Sequence, residues 1–224
     1  MKRTATGGLL LALLLAALPA YAQEDEYDSG LGELSLNAGF ALPLGNATGG
    51  NNSTSMSDVI NFAVPFGIQL GYRIGGVVFI GGTFSYGAFG SPSSSSFTAC
   101  SNSGVSCHSS FLRGGVSAQW HPLGSRGLDP YVGLGLGYEW LNVSVSGNGA
   151  DSSGQYGGFA WLDIPFGVDF RLSKAIRLGP YADFNLGEYR TANISSPSSV
   201  SGNISPKAIH FWLSFGVRIV FLSL

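Results

Sequence analysis

The sequence predicts an all-β protein, an eight-stranded antiparallel up-and-down transmembrane β-barrel with four long outer loops and three short periplasmic turns. Three observations predict it. In residues 61–74 one parity (Phe62, Val64, Phe66, Ile68, Leu70, Tyr72, Ile74) is wholly apolar or aromatic, while the other holds Ala63, Pro65, Gly67, Gln69, Gly71 and Arg73. A helix would mix these sets around its circumference, whereas a strand puts them on opposite faces. The run also reaches the roughly nine to eleven residues that a tilted strand needs to cross a bilayer. Seven further runs repeat the design, and the links between them alternate strictly between long and short, the rhythm of a barrel whose two ends face different environments.

The N-terminus carries Lys2 and Arg3, an apolar run over residues 9–18, and Ala20, Tyr21 and Ala22. A basic start, a hydrophobic segment and a small-x-small site read as a signal peptide over residues 1–22. Residues 23–33, with Glu24, Asp25, Glu26 and Asp28, read as an acidic N-terminal arm, and residues 34–224 as the outer-membrane barrel domain. No later segment has the run of eighteen or so apolar residues that a helical span requires.

The first strand is expected over 34–44, with Leu34, Leu36, Ala38, Phe40 and Leu42 on one face. Residues 45–57, rich in Gly, Asn, Ser and Thr, read as an exposed loop without a core pattern. The strand at 61–74 follows, and Gly75 with Gly76 fits a two-residue hairpin. The third strand (77–89) leads into the longest loop (90–110), the fourth (111–121) into a short return (122–129). The fifth (130–143) alternates Val132, Leu134, Leu136, Tyr138 and Trp140 with Gly133, Gly135, Gly137 and Glu139, and precedes a Gly/Ser loop at 144–155. The sixth (156–172) sets Ala160, Leu162, Ile164 and Phe166 against Trp161, Asp163, Gly167, Asp169 and Arg171. A turn at 173–174 joins it to the seventh (175–189), a polar loop spans 190–206, and the eighth strand (207–221) presents Ile209, Phe211, Leu213 and Phe215 opposite His210, Trp212, Ser214 and Arg218.

Periodicity does not say which face is outside, and a lipocalin-like secreted barrel or a β-sandwich would alternate too. Composition favours the membrane. Charged residues are 11% of the chain against about 25% in ordinary soluble proteins, with 34 glycines in 224 residues and 12% Phe, Tyr and Trp. The polar face, holding Gly, Ser, Tyr, Trp and a few charges, is too sparsely charged to clothe a soluble protein but suits a narrow lumen. Trp120, Tyr138, Trp140 and Tyr72 fall near strand ends on the apolar face, where interfacial aromatics belong. Isolated positive residues without a basic stripe exclude nucleic acid as a partner.

Nine charges fall on the lumen face: Arg73, Arg113, Glu139, Asp163, Asp169, Arg171, Arg177, Asp183 and Arg218. They are expected to pair, since a confined charge needs a partner, and eight strands leave room for little beyond side chains. Cys100 and Cys107 could close a local disulfide in an oxidising compartment or remain a pair of thiols. There is no GxSxG and no HExxH, and His108, His121 and His210 are dispersed, so neither enzyme, cofactor nor metal site is expected.

The segments "YVGLGLGYEW", "FGVDFRLSKAIRLGPYADFNLG" and "FWLSFGVRIVF", with the layout over 34–221, resemble the small eight-stranded outer-membrane barrels of Gram-negative bacteria, the OmpW-like and OmpA-like class. In that class the last strand ends in an aromatic residue read by the barrel-assembly machinery; here Phe221 is followed by Leu222, Ser223 and Leu224. The resemblance implies a place in the Gram-negative outer membrane with both mature termini periplasmic. It also implies contact with outer-membrane lipid and lipopolysaccharide, and passage through periplasmic chaperones and the barrel-assembly machinery. The function expected is a structural or surface-interaction role, the alternative a small channel or transporter for ions or small apolar molecules.

Overall fold

Where side chains alternate between lipid and lumen, backbone polar groups can be satisfied only by neighbouring strands, and a closed ring leaves no edge. The computed structural model has that form and describes residues 31–51, 53–92, 100, 104–124, 127–147, 151–196 and 198–222. The signal peptide, the arm up to residue 30 and the final Ser223 and Leu224 lie outside the described residues. The elements are β1 (Leu31–Gly45), α1 (Met56–Val59), β2 (Val64–Ile74), β3 (Val78–Gly90), β4 (Val105–Trp120), β5 (Leu128–Gly147), β6 (Ser152–Arg171), β7 (Ile176–Ser196), β8 (Ser198–Asn203) and β9 (Ile209–Leu222). Consecutive strands pair antiparallel from β1 to β7, β9 pairs with β7, and β1 with β9 closes the ring. Eight strands are therefore staves, while β8 only doubles back on the far end of β7.

Burial assigns the faces. Leu70 and Tyr72 are 65% and 68% exposed, while Gln69 and Arg73 between and beside them are 9% and 0% exposed. The apolar parity thus faces outward and the polar parity inward. Gly75 and Gly76 both have positive φ (56° and 68°), the requirement of the tight hairpin turn predicted there. Gly87 serves packing instead: a Cβ there would collide with the Phe111 ring, which lies across it inside the barrel.

Five expectations change. β1 starts at Leu31, and Glu33 is a buried residue of the barrel rather than of a solvated arm; its parity continues that of Ser35, so it points into the lumen. Asp129, expected in the return segment, lies in β5 and is fully buried. The first long loop is not without core: it folds α1 into the barrel mouth, burying Met56, Val59 and Ile60 completely. In β6 the register slips between Ala160 and Leu162, so the extra residue, Trp161, turns outward (43% exposed) and Ala160 inward (2%), the reverse of strict alternation. Finally, residues 105–110 of the predicted loop at 90–110 and much of those at 144–155 and 190–206 are strand, with β4, β5, β6, β7 and β8 paired well past the barrel wall. Cys100 and Cys107 are joined in a disulfide.

Candidate functional site: a lumen closed in two layers

Inward-facing polar residues of eight staves meet in the lumen and gather into two layers. The layer near the short turns centres on Asp129. Its Oδ2 accepts hydrogen bonds from Arg73 Nη1 (2.6 Å) and Arg177 Nη1 (2.5 Å) and lies 3.1 Å from His121 Nδ1. Arg73 Nε also donates to Glu33 Oε2 (2.6 Å), and Arg218 Nη2 to Glu33 Oε1 (2.7 Å). From Arg218 the chain of bonds runs on to Gln119 (2.8 Å), from Gln119 to Gln69 (2.9 Å), and Ser35 donates to the same Gln69 oxygen (3.2 Å). Tyr131 stacks on His121 and lies under the Arg218 guanidinium, 4.4 Å from its ring centroid. Asp169 is buried opposite Asp129 in the β5–β6 register. Arg73, Arg177 and Arg218 thus share the carboxylates of Glu33 and Asp129, with Asp169 buried beside them and making no hydrogen bond to the described residues, and charge-assisted bonds of this length are the strong ones.

The second layer lies toward the long loops and centres on Glu139. Its Oε2 accepts from Arg113 Nε (3.0 Å) and Nη2 (2.5 Å), the residue directly opposite it on β4. Its Oε1 accepts from Trp212 Nε1 (3.0 Å) and from the Tyr189 hydroxyl, with His210 Nε2 at 3.4 Å. Every lone-pair direction of this buried carboxylate is therefore addressed, which is what keeps it tolerable away from water. Above it lies an apolar plug of Phe111, Leu141, Val143, Tyr189 and Trp212 with Met56, Val59 and Ile60 from the first loop. Ser109 Oγ donates to the Val59 carbonyl (2.6 Å) and ties α1 into the mouth.

Between the layers, Asp163 and Asp183 border a cavity of ≈ 40 Å³ together with Arg113, Asn37, Gln69 and Tyr181. That is room for about three waters. Asn185 Nδ2 reaches Asp163 Oδ1 at 3.4 Å.

Of the nine charges marked in the sequence, Arg73, Arg177 and Arg218 enter the first layer's bonds, with Asp169 beside them; Arg113 and Glu139 make the second, and Asp163 and Asp183 lie between. Arg171 departs from the expectation: it is exposed at the short-turn rim, where strand β6 ends. Sequence reasoning missed Glu33 and Asp129, which carrying the alternation one residue past the predicted strand ends would have caught. It also left His121, Gln119, His210 and Trp212 unassigned although they stood on the lumen parity, and Tyr189 because it lay at a strand end. Among the described residues no group of three or more His, Cys, Asp or Glu is arranged to hold a metal ion, and no serine hydroxyl bonds a histidine ring.

The family model for the outer membrane protein beta-barrel domain matches residues 8–218. Among solved structures, a major outer membrane protein from Thermus thermophilus is similar at a TM-score of 0.56 and 8% identity, covering 88% of this chain and 100% of that one. OprG from Pseudomonas aeruginosa is similar at 0.50 and 12%, covering 89% and 99%. Neisserial surface protein A aligns at 0.48 and 17%, covering 85% and 98%. No curated protein matches the chain.

Proposed function

The chain belongs to the outer membrane protein β-barrel domain family, and from that premise we propose that it is a closed, non-conducting barrel that holds a polar β-wall at the surface of a Gram-negative cell for interaction with other molecules. The observation that carries this reading is the double closure of the lumen. Asp129 and Glu139, on one stave ten positions apart, each draw several staves together, and side chains bonded across the lumen at two levels favour a barrel that does not conduct. On the long-loop side β5 and β6 remain paired from Trp140 to Val145, which carries the wall about 17 Å past that aromatic residue at about 3.3 Å per residue. Its far end is largely serine: Ser144, Ser146, Ser152, Ser153, Ser195, Ser198 and Ser199 line a shallow cleft there. A hydroxyl-rich, weakly charged surface on a rigid sheet is suited to contact and unsuited to catalysis that needs a poised base.

In this reading both termini lie on the periplasmic side, the wall faces outward, and outer-membrane lipid and lipopolysaccharide surround the staves. Periplasmic chaperones and the barrel-assembly machinery are its partners during biogenesis. Single cysteines at Ser199 and Lys174, each in a C100S/C107S background, test the display. A membrane-impermeant maleimide applied to intact cells should label S199C and spare K174C. The opposite pattern would reverse the orientation and remove the proposed role.

A further inference from the structure

Among the described strand residues, Glu188 and Arg190 are the only Asp, Glu, Lys or Arg that take the outward parity; the others face the lumen or stand at a rim. Tyr189 between them is fully buried, so alternation sends Glu188 to the lipid side, and Arg190, the extra residue of a bulge opposite Gly157 and Gly158, turns outward with it. Their height follows from the stave. Ile176 to Leu186 is ten residue steps, which at about 3.3 Å each and a tilt of about 40° rise about 25 Å, the height of the apolar band. Glu188 and Arg190 therefore stand just past that band, where headgroups begin.

The surroundings are built for that level. Glu188 lies in register with Phe159 on β6 and with Ile209 on β9, both exposed to lipid at 44% and 48%. Phe159 continues into an aromatic row, with Tyr138 at 5.2 Å and Trp140 4.7 Å from Tyr138, the composition of an interfacial girdle. The Arg190 guanidinium lies over the Phe159 ring at 4.7 Å. Lys207 enters from the link between β8 and β9, and both cations meet one oxygen: Arg190 Nε is 3.4 Å and Lys207 Nζ 3.3 Å from Glu188 Oε1. One carboxylate against two cations leaves a net positive charge, and Arg and Lys together carry eight or so N–H donors, of which these pairs occupy two. Both cationic side chains remain 46% exposed, Glu188 only 13%.

We infer that Arg190 and Lys207, held together by Glu188, bind the phosphate of an anionic membrane lipid on the outer wall of the barrel between β7 and β9. The acyl chains of that lipid would run down the wall along Leu186, Phe184 and Phe211, the last two stacked at 5.6 Å. A free phosphate would gain the charge contacts and lose this apolar surface. The inference rests on the barrel sitting in a membrane at the height proposed above, but not on which leaflet the long-loop end occupies.

Native mass spectrometry of the full chain in detergent, titrated with phosphatidylglycerol, phosphatidylethanolamine or diacylglycerol, tests it. Wild type should retain phosphatidylglycerol over the other two, and R190Q or K207Q should each lower that retention about fivefold, the worth of one basic group at an anionic surface. K174Q, at the opposite rim, should leave it unchanged. Heat-modifiable gel migration shows that each variant is folded. Equal retention in wild type and the R190Q/K207Q double variant would overturn the site. Displacement of the lipid by excess inorganic phosphate alone would overturn the membrane lipid as its occupant. Because a micelle is indifferent to orientation, this experiment and the labelling of intact cells fail independently.

Discussion

Replacing Glu139 by Ala removes the one acceptor on which Arg113, Trp212 and Tyr189 converge. Arg113 is left as a buried charge without its partner, a loss of about 3–5 kcal/mol, and each orphaned donor adds on the order of 1–3 kcal/mol if nothing replaces the bond. Some relaxation toward the neighbouring cavity beside Asp163 and Asp183 offsets part of this, so about 4 kcal/mol is expected in all. The design of the lumen implies a sharper result. Arg113 and Glu139 are direct cross-strand neighbours, so removing both charges with R113M/E139L should cost less than E139A alone, because neither member of the pair is left buried without the other. Equilibrium urea unfolding in lipid vesicles, followed by tryptophan fluorescence and by gel migration, measures both. A loss below about 1 kcal/mol for E139A, or a double variant equal to the sum of the singles, would refute the argument that this carboxylate organises the upper layer.

The lower layer should respond alike: D129N takes a charged acceptor from Arg73 and Arg177 at once, and unfolding in vesicles should show a loss of about 3 kcal/mol or more. L70R places a charge near the middle of the outward face of β2, where Leu70 is 65% exposed; about 2–4 kcal/mol should be lost in bilayers of ordinary thickness, and an unchanged midpoint would argue against lipid on that face. G87L drives a side chain into the space of the Phe111 ring, and about 1–3 kcal/mol of overpacking should appear in the same assay.

What could be read in the sequence and what could not have physical reasons. Hydrocarbon forces a continuous apolar parity, and that is why Phe66, Ile68, Leu70 and Tyr72, or Phe211, Leu213 and Phe215, announce their face without any structure. The lumen imposes no such rule. It needs charges to find partners across the barrel, and Glu33 meets Arg218 from 185 positions away, a pairing that no local pattern encodes. Strand ends were the other weak point. Glu33 and Asp129 looked like polar chain outside the strands because the apolar neighbours that mark a stave thin out there. In β6, one extra residue at Trp161 reversed the parity locally, and a single-period reading has no means of placing such a bulge. The first loop hid its role because the apolar content of α1 amounts to Met56, Val59 and the following Ile60, too few for a helical period yet enough to fill the mouth of a narrow barrel.

The central claim is that the lumen is closed by side chains, and planar-bilayer recording on the reconstituted protein tests it most directly. Wild type should give no reproducible single-channel steps. Regular steps in the wild type, altered in size by replacing Glu139 or Arg113, would contradict the closed lumen and make the chain a small channel instead.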